Sequence, residues 1–157
     1  MFYPILTTPA QFKWLADQLR ACRLIIAASE KIALSLFGNK LENLKHATGD
    51  IRLCSPINSG MMGYPLRALV EPVWQTQFKY RAPSTKGMRQ YPNGDLYIPP
   101  MKEHSRVKCD GLPLTGQYPI SSLLFRLDMA DRAHPRWLVE PHQNVLPRHP
   151  KQESKNA

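Results

Sequence analysis

Residues 9–37 read Pro-Ala-Gln-Phe-Lys-Trp-Leu-Ala-Asp-Gln-Leu-Arg-Ala-Cys-Arg-Leu-Ile-Ile-Ala-Ala-Ser-Glu-Lys-Ile-Ala-Leu-Ser-Leu-Phe. Phe12, Leu15, Leu19, Cys22 and Ile26 recur at alternating spacings of three and four, the stripe of one helical face. Thr8 is placed to cap the helix. Pro9 falls at its first position, where a missing N–H costs nothing. Gly38-Asn39 is a natural stop. Lys13, Asp17, Gln18 and Arg20 lie largely off the stripe, and from Leu24 a second stripe opens through Ile25, Ala28, Ile32 and Leu36. Two stripes fit a central helix covered on most sides better than an exposed docking surface. Unbroken, the helix would run roughly 43 Å at 1.5 Å per residue, and a kink near Ser29 fits that length.

Working outward, the texture changes. No proline falls between Pro9 and Pro56, whereas thirteen of the fifteen prolines follow residue 55. Proline removes a donor and breaks helix interiors, so the body is read as short interrupted segments. Residues 40–47 are expected to form a short second helix, and Ile51–Cys54 a short strand. In residues 55–65, Gly60-Met61-Met62-Gly63 resembles the Gly-x-x-Gly loop of KH-type RNA-binding domains in its glycines, with methionines between them. The stretch is read as a flexible loop, and no family is named on it.

Residues 73–81 predict the clearest strand, with Trp74, Thr76, Phe78 and Tyr80 on one face and Gln75, Gln77, Lys79 and Arg81 on the other. Tyr91-Pro92-Asn93-Gly94-Asp95 is a turn leading into a strand over Leu96-Tyr97-Ile98. Residues 105–109 alternate as a half-buried strand closed by Asp110-Gly111. Residues 123–129 favour a strand, although a short helix capped by Ser121 or Ser122 also fits. Trp137-Leu138-Val139 closes the series. The fold class is α+β: a long N-terminal helix with room for a kink, and a short helix, packed on a small, mostly antiparallel sheet. Residues 1–140 are expected to be a single domain, and 141–157 a polar, proline-broken mobile tail.

At 157 residues and 43% hydrophobic content the chain can bury a core without disulfides. Its three widely spaced cysteines suit a reducing, cytoplasmic setting. The longest apolar run is Leu24–Ala28, too short for a membrane span. The formal net charge is +9, and residues 76–109 hold seven Lys/Arg against two Asp/Glu, so this stretch carries +5 of it. Within residues 74–108 these bases interleave with aromatics. Lys79, Arg81, Lys86, Arg89, Lys102, Arg106 and Lys108 are the candidate nucleic-acid contacts, and Trp74, Tyr80 and Tyr91 the candidate stacking rings. Core burial is the stronger reading for the rings that alternate inward.

The chain has no Cys-x-x-Cys, His-x-x-x-His or His-Glu-x-x-His spacing and no glycine-rich phosphate loop, so neither metal nor cofactor is expected. Asp128, Asp131 and His134 are the one set a metal-dependent nuclease would use; with Arg126, Arg132, Arg136 and Pro135 nearby they read better as a salt-bridged turn. The expected function is non-catalytic nucleic-acid binding, with DNA or RNA undetermined, as an accessory subunit of a larger machine. The alternative is an adaptor or inhibitor that binds a protein.

Overall fold

The computed structural model describes residues 1–37, 50–54, 61–69, 71–81, 88–114 and 119–143. Helix α1 spans Pro9–Phe37. The strands are β1 (Tyr3–Leu6), β2 (Asp50–Cys54), β3 (Met61–Pro65), β4 (Gln77–Arg81), β5 (Leu96–Tyr97), β6 (Arg106–Cys109), β7 (Ile120–Asp128) and β8 (Arg136–Gln143). They pair in the order β2-β3-β4-β7-β8-β1-β6-β5, each pair antiparallel. The fold is α+β, as the sequence predicts.

The start of α1 is a reciprocal capping box. The Gln11 backbone N–H donates to Thr8 Oγ1 at 3.2 Å, and the Thr8 N–H donates to Gln11 Oε1 at 3.0 Å. The predicted stripe then enters the core: Leu15, Leu19, Cys22 and Ile26 are all buried. Phe12 sets its ring edge-on to Trp137 at 6.2 Å, and Trp14 meets Tyr80 at 6.5 Å. Burial of each such side chain is worth about 1.5–3 kcal/mol. The second stripe behaves differently. Leu24 is 68% exposed, and Ala27 and Ala28 are exposed too, so α1 is covered on one side along this stretch. The helical assignment is continuous through Ser29.

Partners across the ladders fix which side chains share a face. Phe78 pairs with Phe125, Tyr80 with Leu123, Phe125 with Val139, Leu127 with Trp137, and Trp137 with Ile5. Phe78, Tyr80, Leu123, Phe125, Trp137 and Val139 each expose none of their surface. The opposite face carries Gln77, Lys79, Arg81, Arg126, Glu140 and, on β6, Arg106 and Lys108.

The sheet also curls back on itself. Met88 bridges to Ile120 of β7, and Gln90 bridges to Leu96 of β5. Residues 88–90 therefore join the β5 edge to β7 and close a hydrogen-bonded circuit through β8, β1 and β6. The inward face of that circuit is the core.

Several expectations shift. The strand predicted from residue 73 begins at Gln77. Pro72 opens a 3-10 turn over Pro72–Gln75, in which the Trp74 N–H donates to Glu71 O and the Thr76 N–H to Val73 O. Residues 61–65, read as loop, form β3 and pair with β2 from Asp50↔Pro65 to Cys54↔Met61. Residues 3–6 form β1. Pro4 is tolerated there because it faces the end of β6, where its carbonyl accepts from the Asp110 N–H at 3.0 Å and no donor is needed. β8 runs on to Gln143, past the expected start of the tail. The expected helix at 40–47, the loop at 55–60, Lys86 and residues 144–157 lie outside the described residues.

Candidate functional site

The Tyr91–Asp95 turn closes a tight hairpin between residue 90 and β5. The Tyr91 N–H donates to Asp95 O and the Gly94 N–H to Tyr91 O, both at 2.8 Å. Gly94 has φ +96°, and a Cβ there would lie 2.8 Å from the Leu112 carbonyl oxygen, so both backbone and space demand glycine. Gln90 Nε2 donates to Gly94 O and Pro113 O, pinning the turn to the next loop.

Asp95 anchors the electrostatics. Its side chain is 7% exposed and accepts from Asn93 Nδ2, Arg106 Nε and the Cys109 N–H, at 3.1, 3.1 and 3.3 Å. Burial pushes its carboxyl up, but those donors and the Arg106 charge together outweigh burial and hold it below the usual carboxylate range. Held by Asp95, the Arg106 guanidinium lies over the Tyr91 ring, 4.1 Å from its centroid. Tyr91 and Tyr97 meet edge to face at 6.3 Å and 75°. Arg89 lies 4.9 Å over Tyr97. The result is an alternating cluster, Arg106–Tyr91–Tyr97–Arg89, beside a cleft of about 310 Å³ lined by Arg89, Gln90, Tyr91, Pro92 and Tyr97.

The six predicted cations among the described residues differ in exposure. Arg89, Arg106 and Lys108 are exposed around this cluster, and Tyr97 is the cross-strand partner of Arg106. Lys102 is exposed in the 3-10 turn Pro99–His104, at φ 54°. Lys79 and Arg81 stand on β4, whose end lies along the same edge of β7 as residues 88–90, since Arg81 pairs with Ser122 and Met88 with Ile120. Both are half-buried, and burial pulls the Lys79 ammonium below the usual lysine range.

Of the three candidate rings, Trp74 is 5% and Tyr80 0% exposed, so neither ring face is open to a base. Trp74 Nε1 donates to Glu71 Oε2 at 3.3 Å. Tyr91 is half-exposed and belongs to the cluster. Residue-type reasoning passed over Tyr97 and Asp95 as site members. Their signal is the turn itself, which brings residues 91 and 97 together.

The acidic set lies in the β7–β8 turn. Asp128 accepts from Arg136 Nε at 2.9 Å and from the Ala130 N–H. Asp131 accepts from the Ala133 N–H and meets His134 Nδ1 at 3.1 Å. These carboxylates build the turn. Burial pushes the Cys109 thiol up to about 12, so it is protonated at neutral pH. Among the described residues, no three His, Cys, Asp or Glu side chains converge as a metal site, and no helix is long and apolar enough to cross a membrane.

Comparison with protein-family models, with curated proteins and with solved structures finds no match for this chain.

Proposed function

We propose that this protein binds nucleic acid without cleaving it, acting in the cytoplasm as an accessory subunit of a larger assembly. The observation that carries this reading is the exposed Arg106–Tyr91–Tyr97–Arg89 cluster with Lys108 on the adjoining strand. Guanidinium and ammonium groups neutralise phosphates and release counterions. Tyrosine faces and arginine planes stack on bases. Lys79 and Arg81 are assigned a weaker part, since half-buried cations offer less to a strand outside. The alternative, a module that docks on a protein, draws on Leu24, 68% exposed beside the exposed Ala27 and Ala28.

Fluorescence anisotropy with labelled DNA and RNA at low salt tests the reading. Binding that weakens steeply as salt rises supports it. A folded protein that binds neither nucleic acid at low salt overturns it and favours the protein-docking alternative. Incubation with the same probes in Mg²⁺ and Mn²⁺ should leave them intact. Cleavage abolished by Asp131→Ala would make the β7–β8 turn catalytic.

A further inference from the structure

The cleft beside the cluster says more than that phosphate is attracted. A surface made for phosphate alone needs cations and no aromatic walls. Here two tyrosines and a proline line a cavity of about 310 Å³, with Arg89 at its wall. That is at the small end of ligand pockets, with room for one flat heterocycle.

The walls are fixed before any ligand arrives. Tyr91 and Pro92 ride on a turn closed by two backbone bonds at 2.8 Å and by glycine at its tightest point. Tyr97 is held in the β5–β6 ladder opposite Arg106. Arg106 lies against Tyr91 and is anchored by a buried carboxylate. Preorganised aromatic walls bind without an ordering cost. The arginines repel cationic ligands and favour a planar group that carries an anion beside it. A duplex keeps its bases stacked and shows phosphate outward, so it cannot offer such a group without unpairing.

We infer that the Arg89–Tyr91–Pro92–Tyr97 cleft receives one unpaired base, which makes the protein selective for single-stranded over double-stranded nucleic acid. The inference rests on the nucleic-acid reading above and adds base insertion to it.

The test compares three labelled probes by anisotropy at low salt: a mixed-sequence single strand, the same strand with its bases removed at consecutive abasic sites, and its duplex. Wild-type protein should bind the intact strand roughly tenfold or more tighter than the abasic strand, as stacking of a base predicts, and tighter than the duplex. Tyr97→Leu should remove that advantage, bringing the intact and abasic strands to equal affinity, with its thermal melt as the folding control. Equal affinity of the wild type for intact and abasic strands overturns base insertion while phosphate binding stands. Tighter binding of the duplex than of the intact strand also overturns it. No binding to any probe overturns both readings. The abasic comparison needs no variant, so it decides the matter even if Tyr97→Leu does not fold.

Discussion

Asp95 and Tyr80 are two buried polar side chains with opposite circumstances. Asp95 meets three donors, so Asp95→Asn should cost about 2 kcal/mol, the scale for bonds to a charged group, and should release Arg106 from Tyr91. Urea unfolding checks the first outcome. Because the folded carboxyl titrates low, its contribution is present above the usual carboxylate range and is lost as pH falls through the folded value. The difference between wild type and Asp95→Asn should therefore shrink on acidification. A variant as stable as wild type at neutral pH would contradict this role. The Tyr80 hydroxyl is buried with no hydrogen-bond partner among the described residues. Tyr80→Phe should accordingly be neutral or stabilise by up to about 1 kcal/mol. Burial raises Tyr80 from 10.0 to about 12, so the unfolded chain ionises first. Wild type should lose stability as pH rises across that window, by an increment that Tyr80→Phe lacks.

Among the elements, α1 and β6 are coupled through one side chain. Gln11 completes the capping box with its Oε1, while its Nε2 donates to the carbonyls of His104 and Arg106 at 2.8 and 2.7 Å. Thr8→Ala should cost about 1 kcal/mol, as removal of a cap does. Gln11→Leu should cost more, because it strands two carbonyls where β6 begins, and hydrogen exchange should speed up along β6. Equal losses in chemical denaturation would mean that the link to β6 carries no energy. Leu19→Asp, which places an unpaired charge at a position 2% exposed, should unfold the protein. The α1 core stripe was legible because a spacing of three and four is unambiguous over five residues. The Thr8 cap was legible too; its reciprocal partner needed the reach of Gln11 to β6. β1 and β3 were hidden for a physical reason. Each is short and carries a proline; β1 takes its place only by pairing with β6 and β8 far along the chain, and β3 is Met-Met-Gly-Tyr-Pro, a composition that reads as a turn. The same limit applied to the site. Trp74 looked like the first residue of an alternating strand, but Pro72 turned that segment into a 3-10 turn and sent the indole into the core. Tyr91 and Tyr97 were visible as aromatics. Their meeting depends on a hairpin closed at Gly94.

On the scale of the whole molecule, two features combine. Residues 88–90 close the sheet through β7 and β5, and the segment that makes the closure also presents Arg89 and Tyr91 on its surface. The formal charge is +9, with +5 of it in residues 76–109, and among the described cations of that stretch Lys79 and Arg81 are half-buried whereas Arg89, Arg106 and Lys108 are exposed. The affinity for nucleic acid should therefore track Arg89, Arg106 and Lys108 more closely than Lys79 and Arg81. The measurement that tests this most directly is the salt dependence of binding to a labelled single strand. It should compare wild type, the double variant Arg89→Ala/Lys108→Ala and the double variant Lys79→Ala/Arg81→Ala, each shown to be folded. Wild type should show a steep linear fall of log affinity with log salt. The first variant should weaken binding and flatten the slope by about one for each phosphate it no longer neutralises, and the second should do so by less. Binding indifferent to salt, or weakened as much by the β4 pair as by Arg89 and Lys108, would contradict the account.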